Sequence, residues 1–193
     1  MNKKTLITLI MILLIAFAAG GVYYFILAPK EPIEETDGKK EISNDQFSVK
    51  LPEGWQEGTP PAGSLAIAIN SSEEITDPKA QEINFRSYYS IIQDVLGDMT
   101  KEEYIEKVKE SLMQSSGDLK IIKEETTTIN NRPVYYLHLR LIQQEINFRV
   151  LLSLIIDQSN VWIISSNTLE ENWEQYRDLF YNISESFQIK VDN

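Results

Sequence analysis

Residues 134–156 read VYYLHLRLIQQEINFRVLLSLII, and the alternation in this stretch decides the fold. With Gln143-Gln144 as a two-residue turn, Ile142 faces Glu145, Leu141 faces Ile146, Leu139 faces Phe148, Leu137 faces Val150 and Tyr135 faces Leu152. Odd positions of the first strand then meet apolar even positions of the second on one buried face. A slip of one residue would turn Arg140 and Arg149 into the core, so the facing is strongly specified. The turn Ile129-Asn130-Asn131-Arg132-Pro133 leads into this hairpin, and Asp157-Gln158-Ser159-Asn160 leads out of it. Four consecutive antiparallel strands follow, near 119–128, 133–142, 145–156 and 160–166.

Working towards the N-terminus, β-patterned runs lie near 46–51, 64–70 and 82–93. Between the third of these and residue 119 stands TKEEYIEKVKESLMQSSG, with Tyr104, Ile105, Val108, Leu112 and Met113 at helical spacing. Thr100 and Glu103 form a capping box at its start, and Gly117 lies just past its end. Thr168 and Glu171 repeat the box before a second helix with Trp173, Tyr176, Phe180, Ile183 and Phe187 on one stripe. The order β-β-β-α-β-β-β-β-α predicts an α+β domain, an antiparallel sheet of about six to seven strands flanked by helices.

Phe47, Val49, Pro52 and Trp55 form an "F-x-hydrophobic-x-x-P-x-x-W" opening, Thr126–Tyr136 a mid-domain turn and strand, and Phe180–Ile189 a closing helical pattern. In these three stretches the domain resembles the PsbP-like family. The resemblance spans about residues 44–190 and implies an α/β/α sandwich. It also implies action by binding other proteins, since plant and cyanobacterial members are extrinsic subunits of photosystem II and many bacterial members are tethered. Photosystem binding and ion sites are not carried over, because the matching residues are packing signatures.

Lys3 and Lys4 precede TLITLIMILLIAFAAGGVYYFILA, Thr5 to Ala28, 24 residues without a charge. As a helix the run would be about 36 Å long, enough for a hydrocarbon core of about 30 Å. Its length exceeds a signal peptide's apolar region, although Ala16-Phe17-Ala18 has the form of a cleavage site. Residues 1–28 are therefore expected to be a transmembrane anchor, 29–45 a flexible acidic linker and 46–193 the extracytoplasmic domain. The two lysines place the N-terminus on the cytoplasmic side of a single-pass cell-membrane protein. The chain has no cysteine, so neither disulfides nor a lipid-attachment cysteine are available. Its net charge is -11, and removing residues 1–28 leaves 16 basic against 29 acidic residues, which makes nucleic acid an unfavourable partner.

No catalytic, cofactor or metal constellation stands out, and the chain is not expected to be an enzyme. His138, the only histidine, is expected on the outer sheet face, across from Arg149 and beside Arg140, which suits neither a triad nor a ligand set. Arg86, His138, Arg140, Asn147 and Arg149 form a candidate patch for an anion or an acidic partner. The alternative is that these arginines pair with carboxylates of a covering helix or loop. Glu73, Glu74 and Asp77 lack calcium-loop spacing and read as a solvated loop, while Trp55 reads as buried beneath the Pro60-Pro61 loop. The function expected is a membrane-anchored binding or assembly module with a protein partner. The second possibility is a small-ligand or cargo carrier whose pocket is lined by Tyr88, Tyr136, Trp162 and Trp173.

Overall fold

The computed structural model describes residues 40–115 and 118–190. The expected anchor, the linker up to residue 39 and the expected cap at Gly117 lie outside them. Among the described residues no helix is long and apolar enough to cross a membrane.

The central meander is built from β6 (Leu119–Ile129), β7 (Arg132–Gln143), β8 (Ile146–Asp157) and β9 (Asn160–Leu169). β3 (Trp55–Glu57), β4 (Ala66–Asn70) and β5 (Tyr88–Val95) complete a seven-stranded antiparallel sheet of order β3-β4-β5-β9-β8-β7-β6. A second sheet of three short strands joins β1 (Glu41–Ser43), β2 (Phe47–Lys50) and β10 (Gln188–Ile189). β1 thus lies within residues 40–45, which were expected at the end of the linker.

Helices cover both faces of the large sheet. On one face lie α1 (Pro78–Glu82) and α2 (Lys101–Ser115), over an apolar core of residues such as Leu137, Leu139, Val150, Leu152 and Leu154. On the other lie α3 (Trp173–Glu185) and the small sheet, over Tyr89, Ile91, Tyr136, Leu151, Ile155, Trp162 and Ile164. Phe47 joins the small sheet to this second core, with its ring 5.5 Å from Phe187 and 5.7 Å from Trp162. Consecutive residues from Val150 to Ile156 are buried, because each face of β8 has its own cover.

The local signals act unequally. The Thr100 capping box forms as expected, with Glu103 N donating to Thr100 Oγ1 (3.2 Å) and Thr100 N to Glu103 Oε2 (2.7 Å). Met113, counted on the same apolar stripe, is 58% exposed. The Thr168 box does not form. Thr168 is still in β9, where its hydroxyl lies 2.8 Å from Ser87 Oγ, and Glu171 accepts from Thr76, while a 3-10 turn at Glu170–Asn172 leads into α3. The strand expected near 82–93 begins only at Tyr88, since Asp77 caps α1 through Lys79 N (2.8 Å) and Ala80 N (2.9 Å). Pro78, at the first helical position, has no N–H to leave unsatisfied.

The hairpin tip turns on Gln144-Glu145, one position beyond the expected Gln143-Gln144. Each partner therefore moves by two residues: Leu141 pairs with Phe148, Leu139 with Val150 and Leu137 with Leu152. A shift of two preserves parity, so the expected apolar face is retained. The longer strand adds the pair Gln143–Ile146, whose Ile146 is buried. Gln144 and Glu145 sit at φ 50 and 63, the left-handed region needed at both positions of a type I′ turn. Replacing Gln144-Glu145 with Asn-Gly is expected to raise unfolding stability by about 1 kcal/mol. The exposed Lys79–Glu145 pair that is lost contributes little. A urea titration showing a lower midpoint would contradict this account of the turn.

Candidate functional site

The charged residues singled out in the sequence fall on a strip where α3 crosses the meander. Arg140 and Arg149 are directly opposite each other on β7 and β8, an arrangement that like charges disfavour. Glu170 resolves it. Its carboxylate accepts from Arg140 Nε (3.2 Å) and Nη2 (2.8 Å), and from Arg149 Nη1 (3.0 Å). Burial pushes the Glu170 carboxyl up, but the two guanidiniums outweigh it and hold it below the usual carboxylate range. The Arg149 guanidinium also lies 4.4 Å from the Trp173 ring centroid.

His138 sits one step along the same face of β7 and is only 3% exposed, in contrast to the outer-face position expected for it. The expectation failed because that face is covered by α3. Leu151, not Arg149, is opposite His138, as the two-residue shift requires. The imidazole meets Trp173 edge-on at 5.6 Å, and its Nε2 lies 2.8 Å from both Glu125 Oε2 and Tyr181 Oη. Tyr181 in turn donates to Glu125 Oε2. Lys123, 2.8 Å from Glu125 Oε1, is the main cause that draws the Glu125 carboxyl down to about 2, and Tyr181 adds to it. Burial lowers the His138 pKa, Glu125 opposes the shift, and Lys123 and Arg149 reinforce it.

The structure thus brings together Arg140, Arg149 and His138 but not the whole expected patch. Asn147 is exposed, opposite Ile142 near the hairpin tip. Arg86 lies before β5, where its guanidinium donates to Phe85 O (2.7 Å). The sequence reading missed Glu125, Glu170 and Tyr181. Tyr181 was legible in principle, two helical turns beyond Trp173; the two glutamates are unmarked members of an acidic chain.

Other candidates resolve similarly. Glu73 is buried, with Ser87 Oγ (2.8 Å) and Asn172 Nδ2 (3.2 Å) donating to it, rather than lying in a solvated loop. Trp55 is buried, stacked on Tyr89 at 5.9 Å. Tyr88 belongs to the α2-side core, whereas Tyr136, Trp162 and Trp173 belong to the α3-side core. The sheet separates them, so these four aromatics do not line one pocket.

The PsbP family model matches residues 40–189. The chain belongs to the PsbP family. Among solved structures, this PsbP-family chain is similar to cyanobacterial PsbP (CyanoP) from Synechocystis sp. PCC 6803, with TM-score 0.60 and 17% identity over 85% of this chain and 99% of that one. It is also similar to LpqN, involved in cell envelope biogenesis of Mycobacterium tuberculosis, with TM-score 0.56 and 14% identity over 75% and 83%. A third likeness is PA94, a protein of unknown function from Pseudomonas aeruginosa, with TM-score 0.55 and 14% identity over 76% and 92%. No curated protein sequence matches the chain. At these identities the likenesses establish the α/β/α fold, in agreement with the sandwich expected from the sequence.

A pH test follows from His138. Its depressed pKa means that the unfolded chain takes up a proton first as pH falls below the unfolded value of 6.5, so stability declines there. Glu125 does not contribute in that window, since its stabilisation is present above 4.5 and lost only as pH falls through about 2. Urea midpoints at pH 7.5 and 5.5 should fall with pH for the wild type and change much less for His138→Gln. Equal slopes would show that the imidazole is not held neutral.

Proposed function

We propose that this PsbP-family chain is a membrane-anchored, extracytoplasmic, non-catalytic module that binds another protein. One observation carries the tethered reading: the sequence sets the uncharged run Thr5–Ala28 ahead of the domain, with residues 29–39 between that run and Lys40, the first described residue. A stretch of that length spans at most roughly 40 Å of extended chain. A domain so held meets partners at high local concentration, so a modest contact surface suffices. The envelope role named for LpqN accords with this setting.

The non-catalytic reading rests on the enclosure of His138 by Trp173, Tyr181 and Glu125, which leaves the imidazole out of reach of a reacting molecule. The partner-contacting region of this proposal is Arg140, the exposed end of the strip. There two guanidiniums share one carboxylate and leave a local positive excess on an acidic body.

In membranes of cells expressing the full chain, the protein should sediment with the bilayer and resist release by salt and carbonate. Protease added outside spheroplasts should degrade the domain and leave the N-terminal run protected. Recovery as a soluble species, or protection of the whole domain, would overturn the proposal.

A further inference from the structure

The two ends of the large sheet are protected unequally. β3 ends the sheet with three residues, whereas β6 ends it with eleven, and among the described residues nothing pairs with its outer side. Devices that blunt an edge strand, lysines and a bulge, occur at Lys120, Lys123 and the irregularity between Ile121 and Lys123. The regular half, Glu124-Glu125-Thr126-Thr127-Thr128-Ile129, has no lysine, proline or bulge; its charges are Glu124 and Glu125, at one end, and its threonines favour strand structure.

The direction of each backbone group follows from the hairpin. Asn130-Asn131, both at positive φ, form a two-residue turn closed by the pair Ile129–Arg132. In such a turn the closing pair is hydrogen-bonded and the pairs alternate thereafter. Ile129, Thr127 and Glu125 therefore bond to β7, and Thr128, Thr126 and Glu124 turn their N–H and C=O groups outward.

We infer that two copies of this chain join through their β6 strands, antiparallel across a two-fold axis at Thr126, into one continuous sheet. An identical edge, unpaired among the described residues, supplies the occupant, and charge selects the register. With Thr126 opposite its own copy, Glu124 faces Thr128, Glu125 faces Thr127 and Lys123 faces Ile129, so all three outward-facing residues pair and no like charges meet. Centring on Glu125 or Glu124 sets carboxylate against carboxylate, which is unfavourable. Centring on Thr127 runs Glu124 past the strand end. Two exposed apolar side chains border this edge: Ile122 at the bulge, and Met113 on α2, one turn beyond the Lys109 that bridges to Glu124. The inference does not depend on the anchor or on the Arg140 strip.

The absence of cysteine makes the register directly testable by disulfide formation in the full-length protein in membranes. Opposed hydrogen-bonded residues have Cα atoms about 5.5 Å apart, within the roughly 4.4–6.8 Å that a disulfide accepts. Mild oxidation of Thr126→Cys should make the covalent dimer the main species. Glu124→Cys alone should give almost none, because the two copies of residue 124 would lie about 14 Å apart along the strands. Co-expressed, differently tagged Glu124→Cys and Thr128→Cys chains should cross-link to each other. Thr126→Pro, which removes only an outward-facing N–H, should abolish the dimer on native gels while leaving the circular dichroism unchanged. The inference falls if Thr126→Cys stays monomeric, if Glu124→Cys alone cross-links as well as Thr126→Cys, or if the Thr126→Cys thiol is shielded from maleimide without dimer formation.

Discussion

The structure depends on one constraint: the middle of its large sheet is apolar on both faces. A sheet buried on one side only can expose polar residues on the other, but β8 and β9 have no such side, so each face needs its own cover. On one face α2 supplies Tyr104, Ile105, Val108 and Leu112. On the other α3 and the small sheet supply Trp173, Tyr176, Phe180, Ile183, Phe47 and Phe187. The three short strands of the small sheet are explained by this need, since together they are too small to stand alone and are held by the ring contacts among Phe47, Phe187 and Trp162.

The two covers differ in chemistry. The interface beneath α3 includes buried polar groups: Ser153 bonds Ser184 at 2.7 Å, and His138 bonds Glu125 and Tyr181. A buried polar group without a partner costs more than a satisfied one contributes, so these contacts mainly select one seating of α3 over its neighbours. Glu170 does the same for the arginines. It stands in the turn joining β9 to α3, so the residue that bridges Arg140 and Arg149 lies where the helix starts. A helix so seated closes over the polar strip and leaves Arg140 as the exposed cation at its end.

How much of this was legible in the sequence depended on whether a signal survived displacement. The apolar facing of the central hairpin did, because moving the turn by one residue shifts each partner by two and leaves parity unchanged. The turn itself was not legible, since Gln144-Glu145 has neither Asn nor Gly to mark its positive φ. The Thr100 box was real, whereas the Thr168 box was a coincidence of spacing in residues that β9 and Ser87 had claimed. Asp77-Pro78 is a clear helix-start signal, masked by the acidic, strand-like residues around it. The candidate site fared worst for a related reason. Alternation says which residues share a face, but the identity of the outer face depended on a cover contributed by α3, distant in sequence. His138 therefore looked exposed in a strand pattern and is enclosed in the fold.

The same cover accounts for how the molecule divides its surface. Where α3 and α2 lie over the sheet, charges are consumed by close partners: Glu125 by Lys123, His138 and Tyr181, Glu124 by Lys109, and Glu170 by two arginines. Apart from Arg140, which stays exposed at the end of the strip, side chains so paired have little left for an external partner, and separating them would leave a charge in a partly desolvated place. The backbone of β6 is different. Its outward N–H and C=O groups bear no net charge and need no broken salt bridge before they bond. An acidic body that repels its own copies at long range can still associate through such an edge, because main-chain bonding acts only at contact and the screening length at physiological salt is about 8 Å. In this fold, therefore, a side-chain strip ending in Arg140 and a main-chain edge along β6 offer contacts of different chemistry, the first suited to an acidic partner and the second to an identical edge.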